Sequence, residues 1–149
     1  MSSKTGSLII LLLLALLIGG CYAPPDTVTV IKVIDGDTIV IEGGYRVRYI
    51  GIDTPEIRPR EEAYAIEAWQ ANRQMVEGKR VRLEKDVSET DRYDRLLRYV
   101  YVEDFFVNAE LVRVGLARVI SYPPDTRYQS LLEEVEDEAR RAGRGIWGR

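Results

Sequence analysis

Between Thr27 and Ile52 the chain lays down three short apolar runs in close succession, and their length limits what can be built from them. "TVTVIKVI" (27–34) is rich in β-branched residues and "TIVIE" (38–42) alternates apolar with polar. Gly43-Gly44, a strong two-residue hairpin signal, leads into "YRVRYIGI" (45–52). Each run is too short to bury a sheet face alone, so such a sheet must close on itself or pack against helices.

The helices are legible further along. In "REEAYAIEAWQANRQMVEG" (60–78), Tyr64, Ala68, Ala71 and Met75 recur at helical spacing, Trp69 widens the stripe, and Gly78 stands where a C-cap belongs. Two more strand-like runs follow, "RVRLEKDV" (80–87) and "LLRYVYV" (96–102). Asn108 is the expected N-cap of a short helix that Gly115 stops. Asp125 or Thr126 is expected to open the last helix, with the stripe Tyr128, Leu131, Val135, Ala139 and Ala142. Glu136–Arg140 and Asp137–Arg141 have the spacing of helpful ion pairs on its outer face, and the charge run from Glu133 to Arg144 reads as a solvated face. Three strands, a helix, two strands and further helix is the order of an α+β protein with a five-stranded OB-type barrel and about three helices. Barrels of this type commonly bind oligonucleotides on one face, although fold alone does not settle function.

The N-terminus belongs to a different class of segment. Lys4 precedes "SLIILLLLALLIGGC", whose apolar run from Leu8 to Ile18 is 11 residues long. A membrane-spanning helix needs about 20 residues, so the run reads as the core of a signal peptide covering 1–20. "IGGC" resembles a bacterial lipobox, in which the signal is cut before the cysteine and the thiol of Cys21 carries lipid. An uncleaved signal anchor is the alternative, and either way the rest of the chain faces the outside, tethered to a membrane. "YAPPDT" then forms a short linker within 21–27, kept extended by Pro24 and Pro25.

Composition excludes several chemistries. Histidine is absent, so no Ser-His-Asp triad, Cys-His pair or His-ligated zinc site exists here. Cys21 is the only cysteine, which rules out an internal disulfide framework and leaves the domain to hold together by its core. Acid–base work therefore falls to carboxylates, arginines, lysines or tyrosines, and any metal is a hard one with oxygen ligands. Without residues 1–20 the chain keeps 20 basic against 24 acidic residues. That balance argues weakly against a polyanionic partner, but local fields outweigh the total.

Acidic residues gather at strand ends. "VIDGDT" (33–38) carries Asp35 and Asp37, and "RYIGIDTPE" (48–56) adds Asp53 and Glu56. Arg46, Arg48, Arg58 and Arg60 lie close to the second pair, and "TDRYDRLLRYV" (90–100) interleaves Arg92, Arg95 and Arg98 with Tyr93 and Tyr99. Singly each feature is weak: an Asp-Gly before a strand is usually a turn, and strand arginines usually face water. Together, carboxylates able to bind a cation beside arginines able to fork onto phosphate oxygens suit phosphodiester chemistry.

"VIDGDT", "RYIGIDTPE" and "DRYDRLLRYVYV" resemble the successive motifs of the thermonuclease family, whose best-known member is staphylococcal nuclease. The likeness runs over about residues 28 to 149 and includes "VNAELVRVGLARV" (107–119) and the closing "GIW" (145–147). It implies a nuclease domain at 28–149 that binds one Ca²⁺ through Asp37, Asp53 and the backbone carbonyl of Thr54. It further implies Glu56 as the general base, or as the residue positioning the attacking water, with Arg48 and Arg95 clamping the phosphate. The implied reaction is cleavage of DNA and RNA at the 5′ P–O bond, leaving 3′-phosphate ends, by a monomer outside the cytoplasm.

Other positions follow less directly from the likeness. Asp35 is expected to cap or orient its turn without touching the metal. Arg92 and Tyr93 resemble family residues near a terminal phosphate. Where the family has a Tyr-x-Tyr pair, this chain has "ARVISYPPD", which leaves Tyr122 alone to stack on a base or simply to sit in the surface. The family's usual glycine between the tyrosine and arginine of the third motif is Asp94 here. Aspartate tolerates positive φ at some cost, and its carboxylate can compete for Arg95. The loop from Glu56 into the first helix is about three residues shorter than in the best-known member, and less basic. Two other functions fit a subset of these features: a non-catalytic nucleic-acid-binding OB module, and an envelope scaffold with structural Ca²⁺.

Overall fold

The computed structural model describes residues 27–148. The expected signal peptide (1–20), Cys21 and the linker up to Asp26 lie outside the described residues. Strands β1 (Thr27–Val33), β2 (Thr38–Ile41) and β3 (Arg46–Tyr49) form an antiparallel meander. Helix α1 (Ala65–Val76) follows the two-residue strand β4 (Ile52–Asp53). Strands β5 (Arg80–Glu84) and β6 (Leu96–Val102) come next, the first pairing with β1 and both with each other. The barrel closes where β3 pairs in parallel with β6, Val47 opposite Leu96 and Tyr49 opposite Arg98. This is the closed five-stranded OB-type barrel of an α+β protein.

The remaining elements cover its ends. Strand β7 (Phe105–Phe106) turns back on β6 and runs into helix α2 (Val107–Arg113). Strand β8 (Arg118–Val119) pairs with β4, and helix α3 (Gln129–Arg141) packs beside α2. Side chains alternate along each strand, so Val30, Ile39, Val47, Val81 and Val100 all meet inside the barrel with no exposure. A bulge between Val30 and Lys32 shifts the β1–β2 register and leaves Ile31 more than half exposed. Among the described residues no helix is long and apolar enough to cross a membrane.

Several local expectations shift. Asn108 does not cap α2: it sits inside the helix with its side chain fully buried. Its Oδ1 accepts the Val100 N–H at 2.9 Å and its Nδ2 donates to the Ile50 carbonyl at 2.9 Å. Neither Asp125 nor Thr126 begins α3, which starts at Gln129. Asp125 is buried instead, and its Oδ1 accepts the N–H groups of Val87 and Ser88 at 2.9 and 2.7 Å. The inner stripe of α3 is Leu132, Val135 and Ala139, while Leu131 is exposed. Tyr128 lies edge-on to Tyr99 at 4.7 Å, and the residue four positions on, Leu132, continues that face. On α1 the fully buried residues are Ala65, Ala68, Asn72 and Val76; Trp69, Ala71 and Met75 of the expected stripe pack partly buried against the core, and Tyr64 lies outside the helix at φ 69°. Glu136–Arg140 pairs at 3.0 Å as expected, whereas Arg141 donates to the Asp137 carbonyl oxygen and not to its carboxylate.

Asn108 joins α2 to the barrel through two backbone groups that have no water to turn to. An unsatisfied buried group costs about 1–3 kcal/mol. Asn108→Ala is expected to lower the urea midpoint by the equivalent of several such kcal/mol with little change in m-value, measured by far-UV circular dichroism.

Candidate active site

The turn between β1 and β2 is built to aim one carboxylate inward. Asp35 Oδ1 accepts the Asp37 N–H at 3.1 Å, the capping contact expected of it. Helix α1 grips the same turn, with Trp69 Nε1 on the Val33 carbonyl at 3.2 Å and Asn72 Nδ2 on the Asp35 carbonyl at 3.1 Å. Gly36 is required here by proximity: a Cβ would come within 2.6–2.7 Å of the Thr54 side chain. Because Thr54 can approach so closely, its N–H and hydroxyl donate to Asp37 Oδ2 at 2.9 and 3.2 Å. The Thr38 hydroxyl donates to Asp37 Oδ1 at 3.1 Å.

Arg48 completes the arrangement. From β3 its Nε reaches Asp37 Oδ1 at 3.2 Å and its Nη2 reaches Asp53 Oδ1 at 2.9 Å. Its Nη1 donates to the Tyr49 and Ile52 carbonyls, both at 2.8 Å, which fixes the plane of the guanidinium. The mostly buried Arg48 and Asp37 thus answer each other's charge, while half-exposed Asp53 shares the same cation.

One arginine does not balance the acids around it. Burial pushes the Asp37 carboxyl above its ordinary value, Arg48 opposes the shift and Asp35 adds to it. Asp53 is raised by partial burial and then by Asp37 and Glu62, against Arg48 and Arg118. Exposed Glu56 is raised by desolvation and next by Asp37 and Asp53, with Arg48 again opposing. The Glu56 N–H donates to Glu62 Oε2 at 2.9 Å, and the Glu62 N–H returns a bond to the Glu56 carbonyl. That exchange fixes the start of the loop leading to α1. The uncompensated negative field at this end of the barrel is one that a hard divalent cation would relieve.

Arg95 approaches from the β5–β6 loop. Its Nε donates to Asp91 Oδ2 at 2.7 Å, and Asp91 Oδ1 accepts the N–H groups of Tyr93 and Arg95. Burial works against the Asp91 charge, yet these donors and the Arg95 guanidinium hold its carboxyl below its ordinary value. Asp94 has φ 58°, so its position does demand the left-handed region. The carboxylate that engages Arg95 is Asp91 and not Asp94. Arg92 and Arg95 lie over the exposed Tyr93 ring at 4.9 and 5.5 Å from its centre.

Two clefts meet at the Arg48–Asp53 contact. One, of about 400 Å³, is lined by Arg48, Arg92, Tyr93, Arg95, Ile120 and Tyr122, so it unites Arg48 and Arg95 with both aromatic candidates. The other, of about 900 Å³, opens over Asp53, Thr54 and Glu56 toward Tyr64 and Arg118. All the sequence-derived site residues among the described residues line one of these clefts, except Asp37, which lies buried under Thr54 and Arg48. Cys21 lies outside them. Asp91, Glu62 and Arg118 were not singled out from sequence. Asp91 stands four residues before Arg95 in a loop, where that spacing carries no meaning.

The chain matches the model of the family described as staphylococcal nuclease homologue over residues 46–149. It is 40% identical over 124 residues to a thermonuclease of Staphylococcus intermedius, covering 79% of this chain and 74% of that protein. It is 37% identical to a thermonuclease of Staphylococcus hyicus, over 84% and 78% of the two chains. Against endonuclease YncB of Bacillus subtilis the identity is 38%, over 82% of this chain and 62% of the relative. With a closed barrel, acids and arginines converging at its end, and a family match over most of the chain, the protein belongs to the staphylococcal nuclease homologue family.

Proposed function

We propose that the protein is a Ca²⁺-dependent phosphodiesterase that hydrolyses DNA and RNA and leaves 3′-phosphate ends. In this reading residues 28–149 are the nuclease domain, 1–20 are a signal peptide, and lipid on Cys21 tethers a monomer outside the cytoplasm at the cell membrane. The nuclease activity itself is supported by relatives named thermonuclease and endonuclease. The observation that carries the reading is the single Arg48 guanidinium joining Asp37 and Asp53 at 3.2 and 2.9 Å. A phosphate-binding cation and two cation-binding carboxylates then share one small volume.

The donors fit a hard cation. Among the described residues no three acidic side chains form a metal-binding group. Asp37 and Asp53 would therefore be joined by the Thr54 carbonyl and by oxygens of water and substrate, as Ca²⁺ tolerates. When bound, Ca²⁺ supplies positive charge that polarises a non-bridging phosphate oxygen. Arg48 and Arg95 bind the same phosphoryl group, and their charge counters what accumulates as phosphorus becomes five-coordinate. Glu56 takes a proton from water as its oxygen bonds to phosphorus. The bond to the 5′-oxygen breaks in line, and the departing alkoxide takes a proton from solvent. Arg92, Tyr93 and Tyr122 hold the nucleotide on the leaving side.

Glu56→Gln is expected to lower kcat on single-stranded DNA by roughly 10²–10⁴-fold. Tight binding with undiminished cutting in that variant would remove Glu56 from the chemistry. Tight binding by the wild type with no Ca²⁺-dependent cutting would instead favour the non-catalytic binding module. Ca²⁺ should also raise the melting temperature, by the equivalent of about 2.7 kcal/mol at a hundredfold excess over Kd, and Asp53→Asn should abolish the rise.

The pH dependence has a definite sign. In the metal-free protein the Glu56 pKa is raised, so its base form is lost as pH falls through a value above its ordinary 4.5, and a bound cation would lower that value by relieving the repulsion from Asp37 and Asp53. In chelator, the Glu56 carboxyl followed by ¹³C NMR should titrate above 4.5, and Asp53→Asn should move it down by removing a like charge.

A further inference from the structure

We propose that the larger cleft, between the 55–64 loop and Arg118, is a second polynucleotide subsite that holds the strand on the side of the reacting phosphate opposite Tyr93 and Tyr122. This rests on the nuclease reading above and extends it to residues with no role there. The phosphate clamp opens into the smaller cleft, whereas Glu56 and Asp53 open into the larger one. A polymer cut in its interior continues on both sides of the bond that breaks. The smaller cleft takes the leaving side, and the larger is the concavity that adjoins the same phosphate.

Strand β8 links the two. Arg118 stands opposite Asp53 in the β4–β8 ladder and lines the larger cleft. Two and four residues on, Ile120 and Tyr122 line the smaller one. Fully extended, the segment from Arg118 to Tyr122 would reach at most about 13 Å, room to run beside more than one nucleotide.

The walls suit a single strand. Arg58 and Arg60 are exposed on the loop and make no ion pair or hydrogen bond among the described residues, so their charge is available to phosphate. Arg118 lies over the Trp147 ring, 4.6 Å from its centre, and Trp147 also carries Arg140 at 3.9 Å. Tyr64 supplies a partly exposed ring on the same wall and is held at φ 69°, a left-handed conformation costly for a bulky residue. Of the four acids lining this cleft, Asp53 is held by Arg48 and Glu62 by the Glu56 N–H, while the carboxylates of Glu56 and Glu61 stand exposed beside the arginines. Arg58, Arg60 and Arg118 thus share this wall with the Tyr64 ring, and cations beside an aromatic face are what binds single strands without sequence preference.

The test uses end-labelled oligothymidylates of increasing length. Binding is measured by anisotropy in chelator over a range of salt, and cleavage in Ca²⁺. Wild-type affinity should step up once the oligonucleotide outgrows the smaller cleft. Arg60→Gln and Arg118→Gln should flatten that step, and each should lower the slope of log K against log salt by about 0.7, one phosphate contact on a single strand. Tyr64→Ala should flatten the step without changing the slope. In Arg60→Gln and Tyr64→Ala, cutting of the shortest substrate should stay at the wild-type rate. Arg60 lies on the exposed loop, so its variant tests the proposal even where Arg118→Gln loosens Trp147. Variants that bind every length as the wild type does, or that lose short and long substrates alike, would overturn the subsite. If wild type cuts nothing while the step and its loss persist, the subsite stands and the nuclease reading fails. If it cuts all lengths with one kcat/KM and shows no step, the nuclease stands and the subsite fails.

Discussion

The pairing of β3 with β6 is the contact on which the site depends. These strands are separated by nearly fifty residues, yet Val47, Arg48 and Tyr49 run parallel to Leu96, Leu97 and Arg98. Closing so long a loop is entropically costly and is offset only if the apolar side chains of both strands are buried together. Val47, Tyr49, Leu97 and Val100 are all buried. Closure sets Arg48 and the loop bearing Arg95 on the walls of one cleft, so the core that stabilises the barrel also assembles the two arginines.

The barrel end then concentrates charge that the core cannot hold cheaply. Asp37 is buried and donors surround both of its oxygens, from Thr38, Thr54 and Arg48. Such saturation makes a buried carboxylate tolerable, but it does not cancel the repulsion at this end, where Asp35 raises Asp37, Asp37 raises Asp53, and both raise Glu56. The field left over is the property a cation site needs. Stability and function pull against each other at this end of the molecule, and Gly36 shows how closely the two are packed.

Much of this was legible in the chain. The strand order, the closed barrel and the family could be read because the β-branched runs, the Gly43-Gly44 turn and three spaced motifs survive in linear form. Faces of helices were less legible. Asn72 is a polar residue at a fully buried position of α1, where it serves the Tyr49 hydroxyl and the Asp35 carbonyl, so a stripe drawn through apolar residues misses it. Leu131 and Leu132 are equally apolar, and only the contact of Tyr128 with the aromatic cluster decides between them. Asn108 and Asp125 carry residue types that suit caps, but tertiary demand for donors and acceptors inside the barrel outweighed local capping.

The partners of the site arginines were hidden for the same reason. Asp94 adjoins Arg95 in sequence and invites the idea of competition for its guanidinium. At φ 58° the backbone turns at Asp94, and that turn brings Arg95 back onto Asp91. The competing acid is thus also the one that orders the loop, through the N–H groups of Tyr93 and Arg95. In the proposed reaction, an arginine held by a carboxylate with its charge already spoken for would have to exchange that partner, or share it, on binding phosphate. Arg48 would face the same exchange with Asp53, but its Nη1 is also bonded to two carbonyls. Arg48 is therefore fixed by the barrel and Arg95 by a loop, and in the proposed reaction adjustment to the geometry of the substrate would fall to the loop.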